Sequence, residues 1–327
     1  MLNTILVTGA GGFVGSAIVR RLARPDTELW DGVLVQRVVA AVRPGGSSGR
    51  LELLTPAESL MIERVDVYDP GALASVVQRE QPRAVINTAL DARVFSSDTV
   101  GHAPLETLFS ELAGATARVL HAGSAWVLAP GLALAEDAVV EPASPYARHK
   151  SREDELLNEL GARHGVEWIN LRLFNIFGRY EAPSRLLPYL VARLSRAEAA
   201  VLSHGNQIRD FNDVDDIAEA FALALRAPRS ACGAVYHIGS GRATTVREFA
   251  LTIADAVGDP GLIRFGTGST ADELVPALVA DSGRARHVLG WNTQKSLEER
   301  LRPAVDWWLA RLSGSSSAWT RHEELRR

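Results

Sequence analysis

The chain has 327 residues, 46% of them hydrophobic and 23% charged, with a formal net charge of −4; it can bury a sizeable core, and it carries no basic face of the kind that tracks nucleic acid. Its single cysteine, Cys232, excludes an internal disulfide, and the sequence shows no Cys/His cluster with metal-ligand spacing, so a reducing, cytoplasmic setting without a structural metal is expected. The apolar N-terminus breaks into glycines after a few residues and reads as a buried first strand, not as a leader or a membrane span.

In chain order, strand-length apolar runs fall at 4–8, 38–42, 62–66, 84–88, 117–122 and 166–173. Helical stretches lie between them at 13–23, 71–80, 104–113 and 145–160. This alternation predicts an α/β fold with a doubly wound parallel sheet and helices on both faces. After Gly178 the pattern gives way to helix, loop and the short strand "AVYHIGS", which predicts a second, smaller lobe to about residue 312. The Ser/Gly run and mixed charges of 313–327 predict a mobile or weakly helical tail.

The stretch "ILVTGAGGFVGSAIVRRLA" places Gly9, Gly12 and Gly15 three apart, after an apolar strand and before an amphipathic helix. Backbone without side chains can turn tightly there and approach a pyrophosphate, whose charge meets the free N–H groups of the helix start. Gly9, Gly12, Phe13, Val14 and Gly15 are therefore the expected dinucleotide contacts. An acidic residue ending the second strand would hold a ribose 2′-hydroxyl, but "VVAAV" leads into Arg43, with Arg37 before it and Arg50 after. A guanidinium there suits a 2′-phosphate, so NADP is expected over NAD. Asp66, read as the end of the third strand, is the candidate for the adenine amino group, and Val67, Thr88 and Ala89 complete the expected cofactor contacts.

Of the 35 Lys plus Arg, only Lys150 and Lys295 are lysine. In "SPYARHK", Ser144 and Pro145 form a helix start, and Tyr146 and Lys150 follow at i and i+4 on one face, about 6 Å apart along the axis. A free tyrosine ionises near ~10, and a neighbouring ammonium lowers that value toward use in proton transfer. A lysine can reach a phenol and a ribose hydroxyl together, where a planar guanidinium is bulkier. Ser124, ending the strand "VLHAGS", can meet a substrate oxygen. The acids of "DFNDVDDIAEAF" are expected to cap a helix and not to bind a metal, with Asp215 and Asp216 at its start.

Together, "TGAGGFVG", the serine of "GSAWV", "YARHK", "LRLFNIFG", "IRDFNDVDDIAEAF" and "YHIGSGRATTVREFA" resemble the extended short-chain dehydrogenases/reductases, the nucleotide-sugar epimerases, dehydratases and reductases, over about residues 2 to 310. The resemblance implies a seven-stranded Rossmann domain over 1–177 and about 207–242, and a substrate-binding lobe over 178–206 and 243–312. It implies Ser124, Tyr146 and Lys150 as the catalytic set, with Tyr146 and Lys150 also touching the cofactor. A nucleotide-diphosphate sugar would be held by Ser124, Trp126, Asn175, Arg185 and Arg209, with Asp210 or Asp213 as alternative partners of Arg209. A homodimer is implied as well, although Leu156, Leu157 and Leu160 on the helix concerned suit an internal core equally.

Departures from the family pattern narrow the chemistry. Dehydratases of the family carry Asp-Glu after the catalytic hydroxyl residue, where this chain has Ala125 and Trp126. Asp98 stands in place of a familiar Asn in the preceding helix, and Ser269 and Thr270 in place of a diphosphate-binding arginine. With dehydration disfavoured, reduction of a nucleotide-linked 4-keto-6-deoxyhexose is expected, with 4-epimerisation as the alternative and a non-catalytic dinucleotide sensor as a third reading.

Overall fold

The computed structural model of the chain describes residues 2–52, 59–266, 275–293 and 295–313. Five strands come first, β1 (Thr4–Thr8), β2 (Arg37–Val42), β3 (Leu60–Arg64), β4 (Ala84–Asn87) and β5 (Arg118–Ser124), separated by α1 (Phe13–Leu22), α2 (Gly49–Glu52), α3 (Pro70–Glu80) and α4 (Ala103–Glu111). The short β6 (Gly131–Leu134) and long α5 (Pro145–His164) lead to β7 (Glu167–Leu173). Beyond lie β8 (Ile176–Phe177), α6 (Leu186–Leu194), β9 (Ala200–Leu202), β10 (Ile208–Arg209), β11 (Asn212–Asp213), α7 (Val214–Arg226), β12 (Ala234–Ile238), β13 (Thr244–Thr245), α8 (Val246–Val257), β14 (Ile263–Phe265), β15 (Ala277–Ala280) and α9 (Leu297–Ser313).

Seven strands form one parallel sheet in the order β12-β7-β5-β4-β1-β2-β3. The runs TILVT and AVIN are buried throughout because helices cover both faces, the condition under which a parallel strand is apolar without alternation. One face packs Ile18, Val19, Phe221 and Leu225 of α1 and α7. The other packs Leu73, Leu108, Phe109 and Leu157 of α3, α4 and α5. Leu156, Leu157 and Leu160 all belong to this second cluster, so the leucines of α5 face the interior. Strand order reverses between β1 and β4, and the crevice at their carboxyl ends is where such sheets bind ligands.

A third apolar cluster, built on Leu187, Leu190, Phe249, Leu301 and Trp308, unites α6, α8 and α9. It sits beside a small sheet ordered β13-β10-β15-β6. β12, the "AVYHI" strand, extends the large sheet beside β7, and α7 packs against α1, so the chain returns to the first unit after α6. β10 pairs instead with β13 and β15 of the small sheet.

Three local expectations need correction. The third strand ends at Arg64, two residues before Asp66, because Asp66 accepts from Tyr68 N at 3.0 Å and opens a turn. Asp213, not Asp215 or Asp216, caps α7, accepting from Asp215 N at 2.7 Å. Asp98 lies in a bend ahead of α4 and pairs with Arg148 at 2.8 Å. The tail beyond 313, and Ser269 with Thr270, fall outside the described residues.

Candidate active site

The glycine turn joins β1 to α1 at the strand-order reversal. Gly9 takes φ +68°, and a Cβ there would stand 2.7 Å from the backbone of Thr88 and Ala89. Gly15 is the third residue of α1, where a Cβ would come within 2.3 Å of Gly9 O. These two glycines let the helix start press against the ends of β1 and β4. Gly12 is the N-cap of α1, with no side-chain cap and no acid in the first turn. The first N–H groups, those of Phe13, Val14 and Gly15, have no carbonyl within the helix to meet. They present donors and a positive dipole end to an anion, which is the fit a dinucleotide pyrophosphate requires.

The three arginines near β2 separate by position. Arg37 stands at the far, N-terminal end of the strand and pairs with Glu80 at 3.2 Å. Arg50 donates to Gly11 O at 3.1 Å and Tyr180 O at 3.0 Å, latching the 43–50 loop onto the glycine turn. Arg43 alone is exposed immediately past the carboxyl end of the strand. Val67 and Ala89 are buried in the core cluster on the α3, α4 and α5 side of the sheet, and Thr88 donates its hydroxyl to Thr8 O at 2.7 Å, which ties β4 to β1.

α5 begins where expected. Ser144 caps it, accepting from Ala147 N at 3.1 Å, and Pro145 takes the first position. The helix packs on β5 and on the single turn that follows it, so Tyr146 and Lys150 come to the end of β5 that carries Ser124. Ser124 is buried and accepts from Trp126 N at 3.3 Å. Tyr146 is partly exposed, its ring stacked on Phe95 with centroids 5.1 Å apart. Lys150 is buried, donating to Ala122 O at 3.1 Å, with Glu153 Oε2 2.8 Å away. Burial alone would lower the pKa of Lys150, but the Glu153 carboxylate and the Tyr146 phenol outweigh it and raise it.

Asn175, Arg185 and Arg209 line one cavity of about 210 Å³ together with Glu181, Gln207 and Phe211. Arg209 is buried, and its guanidinium also lies over the Trp126 ring, 5.4 Å from the centroid, which links this cavity to the Ser124 end of β5. Asp210 spends its oxygens on Ser240, Gly241, Ala280 and Asn212. Glu181, which sequence reasoning missed, is buried 3.5 Å from Arg185, and burial raises its carboxyl to about 7.

Also missed were Phe95, His121, His149 and Glu153. A histidine inside the apolar run "RVLHAGS" and an acid three residues after Lys150 were the available signals. His102, His149 and Glu153 bring three potential ligand atoms within 4.8 Å of one another. The imidazoles, however, are stacked, 4.3 Å apart and 18° from parallel, while a metal must lie in the plane of each ring it binds. Near-parallel stacked planes do not converge on one ion, and Glu153 already faces Lys150.

The family model described as NAD dependent epimerase/dehydratase matches residues 5–239. The chain belongs to the NAD dependent epimerase/dehydratase family. Among its relatives, a UDP-glucose 4-epimerase of Mycolicibacterium smegmatis is 29% identical over 322 residues, covering 92% of this chain and 97% of that one. A dTDP-glucose 4,6-dehydratase of an Actinoplanes species is 29% identical over 329 residues, covering 97% and 99%. The structure of a dTDP-glucose 4,6-dehydratase from Streptomyces venezuelae with NAD bound superposes with a TM-score of 0.82 at 25% identity, covering 97% of this chain and 98% of that one. A UDP-glucose 4-epimerase from Thermotoga maritima, in complex with UDP-glucose, superposes with a TM-score of 0.81 at 23% identity, covering 95% and 100%, a likeness of fold. By family this protein is an NAD dependent epimerase/dehydratase, and the relatives just named carry the names of nucleotide-sugar enzymes. No described helix is long and apolar enough to cross a membrane.

Proposed function

We propose that this protein reduces the ketone of a nucleotide-linked 4-keto-6-deoxyhexose. The observation that carries the reading is the pair Ala125 and Trp126 directly after Ser124: one is buried and the other packs beside Arg209, and neither side chain can transfer the proton that expels water in a dehydratase. Hydride chemistry at a carbinol carbon remains, and Tyr146, Lys150 and Ser124 suit it. Bound nicotinamide supplies the hydride. Ser124 Oγ would orient the ketone oxygen, Tyr146 would give that oxygen its proton as the carbon is reduced, and the Lys150 ammonium, one helical turn on, would steady the phenol's charge and help hold the cofactor. Asn175, Arg185 and Arg209 would hold the substrate diphosphate in the cavity they line, Arg209 as a buried charge-assisted donor. Arg43, exposed at the end of β2, favours the 2′-phosphate of NADPH as the reductant.

The test is NADPH oxidation by the purified protein against enzymatically prepared dTDP-4-keto-6-deoxyglucose, with NADH in parallel. Turnover with NADPH supports the proposal. Absence of oxidation, together with NAD retained through purification, would favour 4-epimerisation, the activity for which the Mycolicibacterium relative is named.

A further inference from the structure

Behind the catalytic lysine a set of ionisable side chains is sealed inside the protein, and the reaction just described does not use it. Glu153, one turn past Lys150 on α5, is 4% exposed, and Lys150 is 5% exposed. Their charged atoms are 2.8 Å apart. The same carboxylate faces His121 Nε2 of β5 at 3.3 Å and His149 Nε2 at 3.6 Å. His121 meets Asn87 of β4 at 3.2 Å, and Asn87 accepts from the Thr8 hydroxyl of β1 at 2.5 Å. Thus one carboxylate ties α5 to three strands of the sheet.

Two further titratable groups face this cluster, one from the loop after β3 and one from the residue ahead of α4. Burial drives Tyr68 up to about 12, and its hydroxyl accepts from Asp91 N at 2.9 Å. Burial and His149 bring His102 down to about 4. Both are uncharged at neutral pH, so the counter-charge available to Lys150 is either Glu153 or a Tyr146 phenolate. Glu153 is held in the charged form: burial pushes its carboxyl up, but Lys150 and His121 more than reverse this, leaving it well below the usual range. Neighbouring Asp154 has a separate duty, pairing with Arg172 of β7 at 2.8 Å and accepting from Asn170.

An ammonium has three N–H donors. Lys150 gives one to Ala122 O and sets its charge 2.8 Å from Glu153 Oε2 as an ion pair, so the ammonium is anchored on both sides while donors remain for Tyr146 and the cofactor. We propose that Glu153 is the positioning residue of the Tyr146–Lys150 couple: it is the resident counter-ion of Lys150, fixes the ammonium against β5, and balances the charge that would otherwise draw Tyr146 to phenolate. A balanced lysine favours a tyrosine that gives a proton over one that takes it, which is the direction ketoreduction needs. That consequence rests on Tyr146 being the proton-transfer group; the pairing of Lys150 with Glu153 does not.

The two-lysine composition makes the pair directly observable. With lysine labelled by carbon-13 at Cε, the unaltered protein gives two NMR signals, and Lys295→Arg identifies the one from Lys150. The Lys150 signal is expected to titrate above the ordinary lysine value of about 10.4. In Glu153→Gln, an isosteric change, it is expected to titrate at least about one unit lower, and the ionisation in the pH–rate profile moves about one unit toward acid, with kcat changing more than KM for the dinucleotide. Glu153→Asp, with the charge withdrawn by one methylene, should fall between. A Lys150 signal at or below the ordinary value in the unaltered protein overturns the counter-ion role, whether or not the Gln variant folds. A Gln or Asp enzyme whose pH profile is merely scaled down in height overturns the effect on Tyr146. If Tyr146→Phe retained full turnover, the reductase reading would fall while the Lys150 titration still judged the pair.

Discussion

Phe95 stacks on Tyr146, with ring centroids 5.1 Å apart and planes 11° from parallel. Phe95 is 62% exposed and comes from the short turn 92–95, far from α5 in sequence. The contact braces one face of the phenol ring with an exposed side chain, while Lys150, one turn on along α5, is buried. Removing the ring in Phe95→Ala frees Tyr146 to rotate; an aromatic pair is worth ~0.5–1.5 kcal/mol, so kcat/KM is expected to fall by roughly two- to tenfold. Because Phe95 is exposed, the melting temperature should barely move. Steady-state kinetics beside thermal denaturation checks both.

Lys150 and Lys295 make an internal control. Lys150 is enclosed between Ala122 O and Glu153, whereas Lys295 is exposed. A guanidinium is longer and planar and cannot take the same position, so Lys150→Arg is expected to lose about 100-fold in turnover despite keeping the charge. Lys295→Arg should be indistinguishable from the parent. Equal tolerance at the two sites, measured as kcat/KM, would remove Lys150 from the mechanism.

The glycine turn predicts a loss of binding coupled to a loss of stability. At Gly15 a methyl group would stand 2.3 Å from Gly9 O, and at Gly9 it would meet the Thr88–Ala89 backbone in a left-handed conformation. Backbone cannot yield as a flexible side chain does. Gly15→Ala or Gly9→Ala should each cost ~1–3 kcal/mol and weaken dinucleotide binding by calorimetry.

Glu181 predicts a pH dependence of stability. Burial raises its carboxyl from 4.5 to about 7, so between those values the folded chain binds more protons than the unfolded chain. Stability from this group is therefore fully present below about 4.5 and lost as pH rises through about 7. The cost of ionising it at pH 8 is on the order of 3 kcal/mol. Glu181→Gln should raise the melting temperature at pH 8 and leave it nearly unchanged at pH 4. Equal effects at both pH values would mean that folding does not shift the Glu181 carboxyl.

Much of the fold was readable because its signals are local. β1, α1, β4 and α5 each announce themselves within a dozen residues, by a continuous apolar run, a glycine triplet at a strand-to-helix junction, or Ser-Pro at a helix start. The third strand was misplaced by two residues because "MIERVDV" stays apolar at alternate positions past its end, and only the hydrogen bond from Tyr68 N to Asp66 marks where pairing stops. Arg37 looked equivalent to Arg43 in composition, yet six residues of extended strand put them at opposite ends of β2.

By itself the sequence determined the glycine turn between β1 and α1 and the placing of Tyr146 and Lys150 one turn apart on α5, since both depend on spacing along one short segment and on helix or turn geometry that does not vary. It could not determine that His121 and Asn87 lie beside Glu153, that Phe95 covers Tyr146, or that Asn175 and Arg209, 34 positions apart, line one cavity with Glu181. Those meetings follow from strand order: with β5 placed between β4 and β7 and α5 laid across it, residues distant in the chain are buried together, and burial is what turns an ordinary Lys-Glu spacing into a charged pair shielded from water.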